Sequence, residues 1–204
     1  MRFDFHLHLE KFHKRNQVEQ LLQLCCDRGL QGFVATPHFK RRWFPDGDLA
    51  RFFAPYDYAS RISPRYGVQV LPGAEVRLED NDYLVYGLEA EEFQPIVKIE
   101  KLLDLVAYVG SNGGVVVQAH PFRGKDGVFK HLVNLNVDGF EVQNANHSNS
   151  NDLALALAKS MGKIGTRGSD AHRLNDAIGK VWVDIDGFDG SWGSVISGLK
   201  GNRP

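Results

Sequence analysis

The sequence predicts an α/β fold in which seven strands form a distorted barrel. Apolar segments of strand length alternate with segments of helical periodicity along the 204-residue chain, a pattern typical of parallel strands joined by helices. Six of the seven strand-like segments also end on, or begin with, a residue that can bind a metal ion. The outer strands of an open sheet lie too far apart to share one metal centre, whereas all strands of a barrel open on one mouth. Seven strands, rather than eight, indicate a distorted or incomplete barrel.

The strand assignments rest on short apolar runs bounded by polar or turn residues. In chain order the runs are RFDFHLH (2–8), GFVATPH (32–38), VQVLPGAEV (68–76), DYLVYGL (82–88), GVVVQAHP (114–121), GFEVQN (139–144) and IGTRGSDAH (164–172). A further strand is predicted at VWVDID (181–186).

The segments between the strands have the apolar spacing of helices. The first is predicted to end at Gly29 as a C-cap, the second to be broken at Pro55, and the fifth to begin with Ser and Asn caps. The predicted helices are 18–29, 49–63, 95–114, 127–136, 148–162 and 191–201.

Nine residues at the strand ends are candidate metal ligands. One histidine at a strand end is usually no ligand, but repetition of the pattern carries the inference. Imidazole and carboxylate together suit zinc, manganese or iron, and nine ligands exceed what one ion needs. We therefore expect two or three divalent ions. The candidates are His6, His8, His13, His38, Glu75, Asp82, His120, Asp170 and His172. His131 and His147 are interpreted as surface or helix residues, and Asp4 as a hydrogen-bond partner of a ligand.

Composition indicates one globular domain over residues 1–204, with 43% hydrophobic and 24% charged residues. The net charge of −1 provides no general attraction for nucleic acid. Two adjacent cysteines, Cys25 and Cys26, offer no disulfide framework and suit a reduced compartment. The sequence has neither a signal peptide nor an apolar stretch long enough for a membrane, so a cytoplasmic location is expected.

The motifs resemble those of the PHP (polymerase and histidinol phosphatase) superfamily. They occur in the family's order over almost the whole chain: DFHLH (4–8), TPH (36–38), GAEV (73–76), AHPFR (119–123), FEVQN (140–144) and GSDAH (168–172). The resemblance implies a distorted (β/α)7 barrel of the TIM type, a centre of two or three metal ions and hydrolysis of phosphate esters.

The resemblance also implies how the ligands divide among the ions. One site would use His6, His8, Glu75 and Asp170; a second would share Glu75 and add His120; a third would use His13, His38 and His172. Two positions depart from the family pattern. Pro37 replaces an acid before His38, and Asp82 stands where the family often has a histidine. Asp82 either binds the second metal or is a turn residue beside Asp80.

Several cations follow the candidate ligands and could bind a phosphate. Arg123 follows His120 closely and is expected to clamp a phosphate with two hydrogen bonds, acting in catalysis with Glu75 and Asp170. Further candidates are Lys40, Arg41, Arg42 and Arg167, for which a solvated loop is the alternative. The aromatic, arginine-rich segment 39–58 either stacks on a substrate or packs as a lid on the barrel rim.

Three functions fit these observations. A metal-dependent phosphoesterase acting on a small mono- or diester is favoured over nucleic-acid binding, because the chain is nearly neutral. A metal-dependent amidohydrolase-like enzyme that cleaves C–N bonds is the second, since such enzymes also carry HxH sites on barrels. The third is a metal-binding PHP module without catalytic activity. The oligomeric state stays open.

Overall fold

The computed structural model describes residues 1–44, 48–125, 128–129, 132–174 and 176–201, and it has twelve strands and five α-helices within them. The strands are β1 (Arg2–Leu7), β2 (Gly32–Ala35), β3 (His38–Phe39), β4 (Gln69–Pro72), β5 (Ala74–Leu78), β6 (Asn81–Tyr86), β7 (Val115–Gln118), β8 (Gly124–Lys125), β9 (Val128–Phe129), β10 (Gly139–Asn144), β11 (Ile164–Gly168) and β12 (Val183–Asp184). The helices are α1 (Arg15–Asp27), α2 (Ala50–Ile62), α3 (Leu102–Ser111), α4 (Asn151–Met161) and α5 (Trp192–Gly201).

The strands form two larger sheets and one small hairpin. One sheet has the order β12-β1-β2-β4, and the other has the order β11-β10-β7-β6-β5-β3. The sheets are rich in parallel pairs, as the alternation of strands and helices predicts. Strand β6 is an exception, because it is antiparallel to both β5 and β7. Its direction follows from the two-residue turn at Glu79 and Asp80, where both φ angles are positive as in the tight turns of hairpins.

The ends of β1 and β11 join the two sheets. The Asp170 amide donates to the His6 oxygen at 2.7 Å, and the His8 amide donates to the Ala171 oxygen at 3.1 Å. Gly168 permits this close approach, because a Cβ there would lie 2.4 Å from the Cβ of His6. The Asp4 carboxylate also accepts from the amides of His6 and Ser169, at 3.0 and 2.9 Å. Asp4 therefore supports the backbone around His6, consistent with its predicted supporting role.

Side chains of both sheets pack into one buried apolar cluster. Phe5 of β1 and Tyr86 of β6 belong to it, and the Tyr86 hydroxyl donates to the Phe5 oxygen at 2.8 Å. Helix α5 contributes Trp192, Val195 and Ile196 to the same cluster. Burial of such side chains stabilises the fold by about 1.5–3 kcal/mol each. The cluster fixes the positions of the strands whose ends carry the candidate ligands.

Two helix predictions differ from the structure in their continuity. Helix α2 continues through Pro55, because the carbonyl group that loses its partner belongs to the exposed residue Arg51. The predicted helix over 95–114 is a 3₁₀ helix, Ala90–Lys98, followed by α3. The side chain of Glu79 accepts from the Leu102 amide at 3.2 Å and so caps the start of α3.

The helix predicted over 127–136 is wrong in its described part. Val128 and Phe129 form β9, which pairs with β8. His131 lies outside the described residues. The predicted strands 32–38 and 68–76 are each divided between the two sheets, as β2 with β3 and β4 with β5. Among the described residues, no helix has both the length and the apolar character that crossing a membrane requires.

Replacement of Gly168 by alanine tests the contact between β1 and β11. Gly168→Ala is expected to lower the free energy of unfolding by roughly 1–3 kcal/mol, because the new Cβ overlaps His6. Urea unfolding measures the change. Gly110→Ala is the matched control: its Cβ meets nothing within 4 Å and it lies in α3, so it should stabilise by up to about 1 kcal/mol. Equal effects of the two variants would contradict the proposed role of Gly168.

Candidate metal centre

Three groups of side chains each bring ligand atoms within 4.8 Å of one another. They come from the ends of β1, β7 and β11 and from β3 and β5. The groups are His6, His8 and Asp170; His6, Glu75 and His120; and His8, His38 and His172. Because His6 and His8 each belong to two groups, the three form one continuous cluster. Its donors are the imidazole nitrogens and carboxylate oxygens that zinc, manganese and iron accept.

Glu75 lies at the centre of this cluster. Its Oε1 is 3.1 Å from Nε2 of His120 and 3.6 Å from Nε2 of His6. Its Oε2 is 3.6 Å from Nε2 of His8 and 3.4 Å from Nε2 of His38. One carboxylate thus faces four imidazole nitrogens, two through each oxygen, which is the arrangement expected of a bridging ligand.

Asp170 closes the opposite side of the cluster. Its Oδ1 is 3.0 Å from Nε2 of His8, 3.6 Å from Nε2 of His6 and 3.5 Å from Nδ1 of His172. Its Oδ2 accepts from the side-chain Nδ2 of Asn144 at 3.2 Å. Asp170 has a φ of 53°, a conformation that is unfavourable for a residue with a side chain. The contact between β1 and β11 holds it in this conformation and directs its carboxylate at the histidines.

Three histidines are oriented by a hydrogen bond from Nδ1, and a metal could then bind at Nε2. The acceptors are Glu141 for His6 at 2.9 Å, Glu10 for His38 at 2.7 Å and the Asp170 backbone oxygen for His172 at 2.9 Å. Such oxygen atoms are acceptors only, so Nδ1 carries the proton and Nε2 has the lone pair. Metal-binding histidines in proteins are held in this way.

The two central histidines also face each other with ring nitrogens. Nε2 of His6 lies 3.2 Å from Nε2 of His8, and both rings are buried. When His6 carries a single proton, at Nδ1, its Nε2 lone pair points at Nε2 of His8. A cation between the rings and the carboxylates satisfies this arrangement, so the residues present fit a metal centre.

Burial and charge compensation set the protonation of the cluster. Burial opposes ionisation of Glu75, but the hydrogen bond from His120 and the charges of His6 and His8 lower its pKa to about 2. Burial likewise opposes ionisation of Asp170, and His6 and His8 nevertheless hold its pKa well below the usual range. Both carboxylates are therefore ionised, as ligands must be.

The same compensation acts on the histidines. Burial disfavours the charged form of His8, but hydrogen bonds with Asp170 and Glu10 raise its pKa to about 9. A divalent cation supplies at this place the positive charge that the imidazolium ring otherwise supplies. Metal binding then displaces a proton, which makes the affinity pH-dependent.

Two of the predicted ligands lie outside the three groups. His13 is exposed, because the turn after β1 directs Glu10 rather than His13 toward the cluster. Asp82 accepts from Arg77 at 3.0 Å across the β5–β6 hairpin, so this carboxylate is held in an ion pair. Seven of the nine predicted ligands belong to the groups: His6, His8, His38, Glu75, His120, Asp170 and His172.

Three residues at the centre were not predicted to be there. His147, interpreted from the sequence as a surface or helix residue, has its Nε2 3.5 Å from Oδ2 of Asp170. Burial, and then the charge of Arg123, lowers its pKa to about 4. Glu141 and Glu10 orient histidines. Glu141 lies in β10, and His147 follows this strand. Both could have been predicted, because β10 was the one strand of the predicted seven without an assigned ligand at its end.

Four of the five predicted substrate cations line two neighbouring cavities. Arg123 lines a cavity of about 410 Å³ together with the histidine cluster. Lys40, Arg41 and Arg42 instead line a neighbouring cavity of about 580 Å³, to which Arg123 also contributes. Arg167 alternates along β11 with the buried Thr166, so its side chain leaves the sheet on the opposite face.

The aromatic side chains of segment 39–58 are mainly packing residues. Phe39, Phe44 and Phe53 are buried in one apolar cluster, and the rings of Phe39 and Phe44 are 4.8 Å apart. Trp43 is half exposed, with the Lys40 amine 5.0 Å from its ring centre. The structure therefore favours the lid interpretation over base stacking for the described part of this segment.

Comparisons with known proteins find a family match over the last part of the chain and several solved structures of similar fold. The PHP-associated family model matches residues 148–204. No curated protein matches the chain by sequence. Three similar solved structures are under 25% identical, and therefore establish only the shared fold. An amidohydrolase from Chromobacterium violaceum also has a similar fold, with 14% identity and a TM-score of 0.56 over 92% of this chain and 93% of that one.

One of the three similar structures is PsfC from Pseudomonas syringae, which is 20% identical to this chain. Its TM-score is 0.70, and the match covers 98% of this chain and 89% of PsfC. A candidate metal-dependent phosphoesterase from Bifidobacterium adolescentis has 15% identity and a TM-score of 0.62, over 97% and 95% of the two chains. The lesion-specific endonuclease PfuEndoQ from Pyrococcus furiosus has 15% identity and a TM-score of 0.68, over 98% and 56%.

Replacement of Glu141 tests the support of His6. The Oε1 of Glu141 accepts from His6 and its Oε2 accepts from the His120 amide at 2.8 Å. Glutamine has one oxygen and cannot accept both bonds, so Glu141→Gln should weaken zinc binding by roughly 10–100-fold. Competition with a chelator measures the affinity. Glu91→Gln, at an exposed position, is the control and should bind zinc normally. Unchanged affinity in Glu141→Gln would show that His6 needs no such support.

Proposed function

We propose that this chain belongs to the PHP superfamily, which the partial family match and the shared fold support, and that it is a metal-dependent phosphoesterase. It hydrolyses a small phosphate mono- or diester at a centre of two or three divalent ions. The supporting observation is Glu75, whose two oxygens face the Nε2 atoms of His6, His8, His38 and His120. A carboxylate in this position can bridge two ions.

The proposed ligand sets follow the three geometric groups. Each imidazole is counted for one ion, because its Nε2 has one lone pair: His6, His8 and Asp170 would hold one ion, Glu75 and His120 a second, and His38 and His172 a third. When bound, ions of this kind generate a nucleophile from water at neutral pH and neutralise phosphoryl oxygens. Zinc, manganese and iron all fit the donor set.

The chain's own side chains prepare the reaction site. Glu75, His6 and Asp170 are almost completely buried, so water is largely excluded and charges act strongly on one another. Arg123 lines the same cavity as the cluster and is proposed to bind the phosphoryl oxygens with its planar guanidinium group. Glu75 and Asp170 would act as metal ligands, and Arg123 would orient the ester toward the ions that they hold.

We further propose that residues 1–204 form one domain, a distorted (β/α)7 barrel. The parallel bridge between Leu7 and Ala171 and the shared apolar cluster of the two sheets support this proposal. Pro37 lies between β2 of one sheet and β3 of the other, and its oxygen accepts from the Glu75 amide of β5 at 2.9 Å. A barrel explains why ligands from five separate strands meet at one place.

The main alternative is hydrolysis of a C–N bond. The described cluster consists of histidines and carboxylates, and Glu75 could serve as the bridging group of an amidohydrolase as well. A phosphoesterase is favoured because Arg123 and the neighbouring cationic cavity offer charges that an ester phosphate requires and a neutral amide does not. A hydrolysis assay of metal-loaded protein with amides and with phosphate esters distinguishes the two functions.

A screen of phosphate mono- and diesters with zinc- or manganese-loaded protein tests the proposal. Wild type should carry at least two ions per chain by elemental analysis. Glu75→Gln should lose metal and reduce kcat/KM by roughly 100-fold or more, since a bridging ligand is removed. His13→Ala should leave both unchanged, because His13 is exposed and lies outside the groups. Hydrolysis of amides but not of esters would refute the proposed function.

A further inference from the structure

A second cavity adjoins the metal centre and is strongly cationic. Its volume is about 580 Å³, within the range of small-molecule sites, and it shares His38 and Arg123 with the cavity of the histidine cluster. Its charged lining comprises Lys40, Arg41, Arg42, Arg77, Arg123 and Asp82. Among the residues that the structure describes, five cations and one carboxylate thus line this cavity, in a chain whose net charge is −1.

Within the described part of the lining, Asp82 compensates only part of this positive charge. Oδ1 of Asp82 accepts from Arg77 at 3.0 Å, and Arg77 also lies 3.9 Å from the carboxylate of the fully exposed Asp80. Arg41 contacts Glu100 at 3.1 Å, but Glu100 is largely exposed, so solvent screens this ion pair. Concentrated positive charge in a cavity costs free energy unless an anion compensates it. The lining therefore fits an anionic ligand.

The position of the cavity indicates that this anion is part of the substrate. Arg123 lines both cavities, so a molecule whose ester lies at the histidine cluster can extend past Arg123 into the cationic one. We propose that the substrate carries a second anionic group, a carboxylate or a phosphate, that binds among these cations. The inference rests on the proposed phosphoesterase function. It assigns Lys40, Arg41 and Arg42 to substrate selection rather than to the scissile phosphate.

A small molecule fits better than a nucleic-acid strand. Strand binding uses many cations along an extended surface, whereas the cations here line one cavity of bounded volume. Guanidinium groups at this site can bind an oxyanion with two parallel hydrogen bonds, which gives selectivity for a single group.

A matched set of esters tests the proposal by activity. The set is butyl phosphate, the analogue with a terminal carboxylate and the analogue with a terminal phosphate. Wild type should show a kcat/KM roughly 10-fold or more higher for an anionic analogue than for butyl phosphate, the scale of one charge-assisted contact. The two analogues distinguish carboxylate from phosphate as the second group. In the double variant K40Q/R42Q the ratio should fall close to one.

The control variant removes equal charge from elsewhere. R65Q/K98Q changes one arginine and one lysine at exposed positions outside both cavities, so it should retain the wild-type ratio. A ratio lost equally in R65Q/K98Q would assign the preference to overall charge and overturn the cavity proposal. No preference in wild type, with ester hydrolysis intact, would also overturn it.

A binding measurement separates this inference from the proposed function. Calorimetry with chelator-treated protein and butane bisphosphonate reports on the cationic cavity without turnover. Wild type should bind the bisphosphonate, and K40Q/R42Q should bind it roughly 10-fold or more weakly. If this holds while no ester is hydrolysed by metal-loaded protein, the proposed function fails and the anion site stands. If affinity instead rises with the length of an oligonucleotide, the site binds nucleic acid and the small-molecule proposal is overturned.

Discussion

The close contact between β1 and β11 is the constraint on which the rest of the site depends. Gly168 brings the β11 backbone against His6, and Asp4 accepts from the amides on both sides of the contact. This contact places Asp170 opposite His6 and His8 although 162 residues separate His8 from Asp170. The positive φ of Asp170 is tolerated because hydrogen bonds at both neighbouring positions fix the backbone.

Charge balance in the interior is the second constraint. Glu75, Glu141 and Asp170 are almost fully buried, and buried carboxylates are costly unless they are paired. Histidines surround them, and an imidazole can be a cation or, when neutral, a ligand. The cluster can thus exchange protons for metal ions without leaving a carboxylate uncompensated. A centre of this kind is consistent with both its burial and its donor atoms.

Most of the predicted ligands that the structure brings together lie at or near strand ends. His6, Glu75, His120 and Asp170 lie at the ends or starts of strands, where the fold alone determines their direction. His13 lies outside the three groups, because the turn after β1 decides whether position 10 or position 13 reaches the cluster. Spacing along the chain contains no information about that turn conformation.

The supporting residues were harder to predict for a related reason. Glu141 lies inside β10 and has the appearance of an ordinary strand residue, so only its hydrogen bonds to His6 and His120 reveal its role. Asp82 was uncertain because its neighbour across the hairpin, Arg77, is set by the register of β5 and β6. The antiparallel direction of β6 depends on a two-residue turn that alternation of strands and helices does not predict.

Anomalous diffraction from crystals grown with zinc or manganese tests the central claim most directly. The metal centre proposed here predicts at least two peaks about 3.5–4 Å apart, with Glu75 in contact with both, as in other two-metal sites. One of them should contact His120, and the other should contact His8 or His38 on the opposite oxygen of Glu75. A single ion that leaves Glu75 uncoordinated, or ions bound at His13 or Asp82 instead, would contradict it.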